Sequence, residues 1–187
     1  MSKPIVIPTR EEVLSLLEQN SLTTNTGLRN RAAIALMAFC GLRISEVLDL
    51  ERKSVDFEKQ TLQILNSKFG KSRILAFNAQ TGAILTAWRE RAAAKGIKSQ
   101  YFVSTLQGKH MKTAYFRELL PRLCEKGGLP RMHCHLLRHY YAVNLLNSGA
   151  TLVHIMQALG HSNLSVSSRY LNHINKEELL EFLRGVE

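Results

Sequence analysis

Cysteine is scarce in this 187-residue chain: Cys40, Cys124 and Cys134 are the only three, an odd number with no Cys-x-x-Cys pair. That argues against a disulfide framework and fits a reducing, cytosolic-type compartment. Long apolar runs are missing too. The longest, Ala32 to Leu42, has eleven residues, short of the roughly 18 that a bilayer span needs. The N-terminal stretch lacks an apolar core followed by a small-residue cleavage site, so no secretory signal and no membrane partner are expected. There is no internal repeat and no low-complexity tract, and no Gly-x-Ser-x-Gly elbow marks a serine hydrolase.

Acidic residues run short in one region. Lys and Arg number 25 against 15 Asp and Glu, a net charge of +10. Residues 1–60 hold 8 of each sign, residues 61–140 hold 14 basic and 3 acidic, and residues 141–187 hold 3 and 4. An evenly spread surplus would serve solubility. A localised one is either a solvated basic face or a surface that meets a polyanion. With 45% apolar and 21% charged residues the chain has the composition of an ordered globular protein, and its length suits one domain.

Thr9 and Glu12 have the spacing of a capping box, which opens a helix through Val13, Leu16 and Leu17. The segment from about Leu28 to Cys40 is strongly apolar and predicts a buried helix, with Gly41 suited to its C-terminal cap. Arg43 to Leu50 reads as a short helix. Thr61 to Asn66 and Ser72 to Phe77 alternate on either side of a turn containing Gly70, which predicts a β-hairpin. Ala79 to Lys95 is helical, and Tyr101 to Ser104 is expected to add an edge strand. Further helices are expected over Lys112–Lys126, His135–Asn147, Thr151–Leu159, Asn163–Leu171 and Lys176–Leu183. The fold class is therefore mainly α with a small antiparallel β-sheet.

Three clusters and one lysine carry the chemistry: Gly41-Leu42-Arg43-Ile44-Ser45-Glu46, Lys68 in the hairpin turn, His135-Leu136-Leu137-Arg138-His139, and Leu159-Gly160-His161 with Tyr170 nine residues on. Each is weak alone. Together and in this order they resemble the tyrosine recombinase (lambda-integrase) family, over nearly the whole chain from about Thr9. The resemblance implies that family's catalytic-domain fold and an active site of Arg43, Lys68, His135, Arg138, His161 and Tyr170. It implies double-stranded DNA as partner, no cofactor and no metal, and strand exchange through a 3′-phosphotyrosyl link in a homo-tetramer. It places the protein in the cytoplasm on the nucleoid.

The residue types suit those roles. Cleaving a phosphodiester without water requires a protein nucleophile, and Tyr170 can supply it. A guanidinium forks onto two phosphate oxygens and stays charged, which suits Arg43 and Arg138. His135 and Arg138 lie three apart and share a helix face. Arg43 opens a helix, where free amides favour an anion. Lys68 on a turn can protonate the leaving 5′-oxygen, with Lys71 the competing lysine. His135 and His161 divide proton exchange and phosphate donation between them, and spacing does not say which does which. Glu46 is expected to buttress Arg43, and His139 to orient its neighbours. A metal held by His133, His135 and His139 is the competing reading of that box, but no carboxylate lies nearby to complete a hydrolytic site.

Two positions depart from the family pattern. Cys134 stands where a proline usually precedes the box histidine, and Ala76 where one commonly ends the second hairpin strand. Residues 1–187 are expected to be one catalytic domain without the separate N-terminal core-binding domain of most members, similar to the short fimbrial-switch or Xer-like recombinases. The segment Asn175 to Glu187, with Leu179, Leu180, Phe182 and Leu183 apolar, either docks on a neighbouring subunit, as in relatives, or packs on its own domain. Two other functions share these features: a non-catalytic DNA-binding regulator, which would not need Tyr170 or Lys68, and a type IB topoisomerase that relaxes DNA without recombining it.

Overall fold

The computed structural model describes residues 6–65 and 72–160. The hairpin turn with Lys68 and Lys71, and the C-terminal stretch with His161, Tyr170, both last expected helices and the Asn175–Glu187 segment, lie outside the described residues.

Seven α-helices, one 3-10 turn (Arg52–Ser54) and three strands are described: α1 (Arg10–Glu18), α2 (Asn25–Phe39), α3 (Ile44–Asp49), β1 (Val55–Asp56), β2 (Thr61–Ile64), β3 (Arg73–Ala76), α4 (Ala79–Ala94), α5 (Thr113–Lys126), α6 (Cys134–Asn147) and α7 (Leu152–Leu159). α1 starts as its sequence predicts. Thr9 accepts from the Glu12 amide at 3.2 Å and Glu12 accepts from the Thr9 amide at 2.8 Å. α2 begins three residues earlier than its apolar run suggests, because Thr24 caps it by accepting from the Gly27 amide at 3.1 Å.

α2 is the centre of the molecule. Every residue from Ala32 to Ala38 is buried, so the helix is covered on all sides, by α1, α3, α4 and α6. Its alanines let these neighbours approach closely. Trp88 of α4 is fully buried and donates from Nε1 to the Phe102 carbonyl at 2.8 Å. That bond takes the Phe102 carbonyl, which the next rung to Leu50 would use, and the expected edge strand Tyr101–Ser104 is reduced to one bridge between Tyr101 and Glu51.

The sheet is an antiparallel meander in the order β1-β2-β3. Leu62 pairs with Leu75 and Ile64 with Arg73. This register turns Leu62, Ile64, Leu75 and the Arg73 side chain inward, and leaves Ile74 71% exposed. Beyond α2, Gly41 adopts φ +66°, a left-handed conformation that turns the chain sharply into α3. No described helix is long and apolar enough to cross a membrane.

Candidate active site

The residues of the first box gather around one carboxylate. Arg43 precedes α3, and Glu46 in the first turn of that helix accepts from the Arg43 amide at 2.7 Å and from its Nη1 at 3.1 Å. Of the amides at this helix opening, expected from sequence to favour an anion, that of Arg43 is therefore filled from within. Arg73 of β3 meets the same carboxylate fork to fork, Nη1 to Oε1 and Nη2 to Oε2, both at 2.9 Å. Arg138 of α6 adds Nη1 to Oε2 at 3.4 Å. One carboxylate thus binds three arginines from separate parts of the chain, Arg43, Arg73 and Arg138, and Arg138 Nη1 also donates to the Gly41 carbonyl at 2.7 Å.

Burial pushes the Glu46 carboxyl up. The hydrogen bonds from Arg73 and the Arg43 amide, with the charges of Arg73 and Arg138, outweigh that and hold it below the ordinary carboxylate value. Glu46 is therefore ionised at neutral pH and unsuited to donate a proton.

The end of α7 joins the cluster. Arg138 Nη2 donates to the Leu159 carbonyl at 2.5 Å and Arg73 Nε to the Ala158 carbonyl at 2.8 Å. Two cations therefore sit on the last carbonyls of a helix, where its dipole is negative. The Arg138 side chain is 2% exposed and the Arg73 side chain 11%, against 38% for Arg43. Arg43 is the guanidinium of the three that solvent reaches most readily. Two of the fourteen basic residues counted over residues 61–140 are turned inward, so the surface surplus is smaller than the sequence count.

His135 is exposed on the first turn of α6 and makes an edge contact with His139, their ring centroids 4.8 Å apart. Partial desolvation of its ring against the protein, and then the charges of Arg138, His133 and Arg43, lower its pKa from 6.5. It is mostly neutral at physiological pH, able to accept or pass on a proton. His133 caps α6, its Nδ1 accepting from the Leu136 amide at 3.2 Å. That takes one nitrogen away from any metal, and among the described residues no group of three or more His, Cys, Asp or Glu forms a metal site.

Tyr141, one residue past Tyr140 on α6, lies within electrostatic reach of Arg73 and Arg138. Burial nevertheless raises its pKa to about 12, away from a phenolate nucleophile. Cys40, likewise, is pushed up to about 12 by burial. The three cysteines are free thiols.

The structure brings Arg43 and Arg138 together on Glu46, with His135 within electrostatic reach of both arginines. Lys68, His161 and Tyr170 lie outside the described residues, although His161 is the next residue in the chain after Gly160, whose backbone sits beside the Arg73 guanidinium. Arg73 is the participant that sequence reasoning missed. The available signal was an arginine two residues before Leu75 on one face of a strand.

This helical body with its three-stranded meander is the catalytic-domain fold of the tyrosine recombinases. The XerA recombinase superposes with a TM-score of 0.83 at 22% identity, covering 97% of this chain and 65% of that one. The XerH recombinase bound to its difH substrate, before cleavage, gives 0.78 at 26% identity, covering 100% of this chain and 55% of that one. The model of the phage integrase family matches residues 8–178, and the chain belongs to that family. Among curated relatives it is 31% identical to tyrosine recombinase XerC of Bacillus pumilus over 90% of this chain, and 32% identical to tyrosine recombinase XerD of Ralstonia nicotianae, also over 90%. It spans 57% and 56% of the length of those two proteins.

Proposed function

We propose that the chain carries the catalytic unit of a site-specific DNA recombinase, which cuts and rejoins strands through a 3′-phosphotyrosyl intermediate. The observation that carries this reading is the arginine cluster on Glu46: two box arginines, Arg43 and Arg138, fixed beside a neutral His135. Phosphoryl transfer asks a protein chiefly for positioning and for fixed positive charge on the non-bridging oxygens. Buttressed guanidiniums provide both.

In the proposed step the Tyr170 Oη attacks phosphorus, its proton passing to a histidine. The bond to the 5′-oxygen breaks, and Lys68 protonates that oxygen. Religation is the reverse: the 5′-hydroxyl attacks and Tyr170 leaves. Arg43, more than a third exposed, meets the phosphate first. Arg138 reaches it by giving up the Leu159 carbonyl for a charged acceptor, a stronger hydrogen bond. His161 is the further phosphate donor. The step needs neither metal nor cofactor, because the phosphotyrosyl ester conserves the bond energy.

The proposed partners are double-stranded DNA, held mainly by backbone phosphates, and three further copies of this chain, with the Asn175–Glu187 segment exchanged between neighbours. Residues 1–187 act as one catalytic domain, working in the cytoplasm on the nucleoid. A pool of nicked suicide duplexes of randomised sequence tests the reading. The wild-type chain should leave a covalent adduct on a denaturing gel and Tyr170→Phe none. An adduct that persists in Tyr170→Phe rejects the nucleophile.

A further inference from the structure

Arg73 belongs to none of the boxes, yet it joins two parts of the cluster, the Glu46 carboxylate and the end of α7. Its three guanidinium nitrogens are all used: Nη1 and Nη2 on Glu46, Nε on the Ala158 carbonyl. It is nearly buried, and Gly160 leaves it just enough room. A Cβ on Gly160 would lie 3.0 Å from Arg73 Nη1. Ile64 pairs with Arg73 across the sheet, so the backbone that carries this guanidinium is itself held by β2.

We propose that Arg73 is a positioning residue: a single guanidinium that fixes the Glu46 carboxylate under Arg43 and Arg138 and at the same time holds the end of α7, from which the chain continues to His161. This rests on the function proposed above and adds a division of labour. Arg138 and Arg73 grip adjacent carbonyls, Leu159 and Ala158. When Arg138 turns to a phosphate, Arg73 still keeps the end of α7 and the carboxylate in register. A lysine cannot replace it, because an ammonium donates from one point and cannot fork onto a carboxylate while its stem reaches a carbonyl.

The test compares wild type with Arg73→Lys, Arg73→Ala, Glu46→Gln and the Arg73→Ala/Glu46→Gln double variant. Single-turnover adduct formation is followed across pH at saturating nicked duplex. Duplex affinity is followed by anisotropy, and amide exchange is read along residues 152–160. Both Arg73 variants should lose roughly ten- to a hundredfold in adduct rate, by analogy with the loss seen when the partner that orients a metal-binding side chain is removed, with affinity within about twofold of wild type. The acid limb of the Arg73→Ala rate profile should move to higher pH, because Glu46 loses its principal donor. Exchange should quicken in α7 and not in α2. Guanidinium ion should restore part of the Arg73→Ala rate where sodium at equal ionic strength does not, and Arg73→Ala should cost less on the Glu46→Gln background.

An unchanged adduct rate overturns the proposal. So does a rate loss that matches a loss of folded protein, with the pH profile unmoved and exchange raised evenly throughout. If the wild type itself forms no adduct, the functional reading fails, and exchange in α7 with the Glu46 titration decides the role of Arg73 alone.

Discussion

The ring of Tyr141 fills the space beside Gly41 so closely that a Cβ on Gly41 would stand 2.2 Å from Cδ1 of that ring. The same glycine holds φ +66° and offers its carbonyl to Arg138. Its missing side chain thus sets the distance between the end of α2 and α6. Gly41→Ala is expected to lose about 1–2 kcal/mol from the left-handed backbone and about 1–3 kcal/mol from overpacking. Urea unfolding reads the sum. The double variant Gly41→Ala/Tyr141→Ala should recover part of the overpacking cost and none of the backbone cost. A single variant as stable as wild type would contradict this packing.

Glu46→Gln removes the charge that balances the arginines. Loss of one partner from a buried ion pair costs about 3–5 kcal/mol, and the lower end is expected because 12% of this side chain still meets solvent. Chemical denaturation measures it. Adduct formation should fall as well, since Arg43 loses the carboxylate that fixes its guanidinium. A variant that keeps both stability and rate would show that the cluster is not held by its carboxylate.

The same group gives the stability of the fold a pH dependence. Its pKa lies below the ordinary carboxylate value of 4.5 in the folded chain, so the unfolded chain binds the proton more readily. The contribution of Glu46 is complete above that ordinary value and drains away as pH falls toward the folded one. The stability gap between wild type and Glu46→Gln should therefore narrow on acidification below about pH 4.5. A gap of constant size from pH 7 to pH 3 would contradict the assignment.

His135 titrates in the other region of interest. Partial desolvation and neighbouring cations put its pKa below 6.5. The imidazole C–H resonances should show a midpoint on the acid side of 6.5, and Arg43→Ala should raise it by removing one nearby charge. A wild-type midpoint above 6.5 would mean that the ring is used as a cation.

Exposed and inward arginines should separate by salt. Arg131 is exposed on the segment that leads into α6, two residues before His133. Arg131→Ala should reduce the slope of log affinity against log salt by about one, as expected for one lost phosphate contact. Arg73→Ala should leave the slope as it is, because that charge faces Glu46. Equal slopes for all three proteins would remove Arg131 from the proposed DNA surface.

Much of this was legible in the sequence because the signals are local. The Thr9–Glu12 box, the apolar run that became α2, and Gly41 each act within a few residues. The boxes around Arg43 and Arg138 could be found by their order alone. What could not be read was direction. An alternating strand tells which residues share a face and not which face is the core. Arg73 with Leu75 turned inward, and Ile74 with Ala76 outward, the reverse of what hydrophobicity suggests. The charge count had the same blind spot, since it treated Arg73 and Arg138 as surface charge. The edge strand failed because Trp88 claims the Phe102 carbonyl, a competition set by a residue distant in the chain.

The most direct measurement maps the covalent link. The adduct from the nicked-duplex pool is digested with trypsin and nuclease and analysed by mass spectrometry. The expected result is a nucleotide on the peptide Tyr170 to Lys176, which trypsin releases after Arg169, as a phosphate ester of its tyrosine. A nucleotide on any other peptide, the one carrying Tyr140 and Tyr141 included, or no modified peptide at all, would contradict the account.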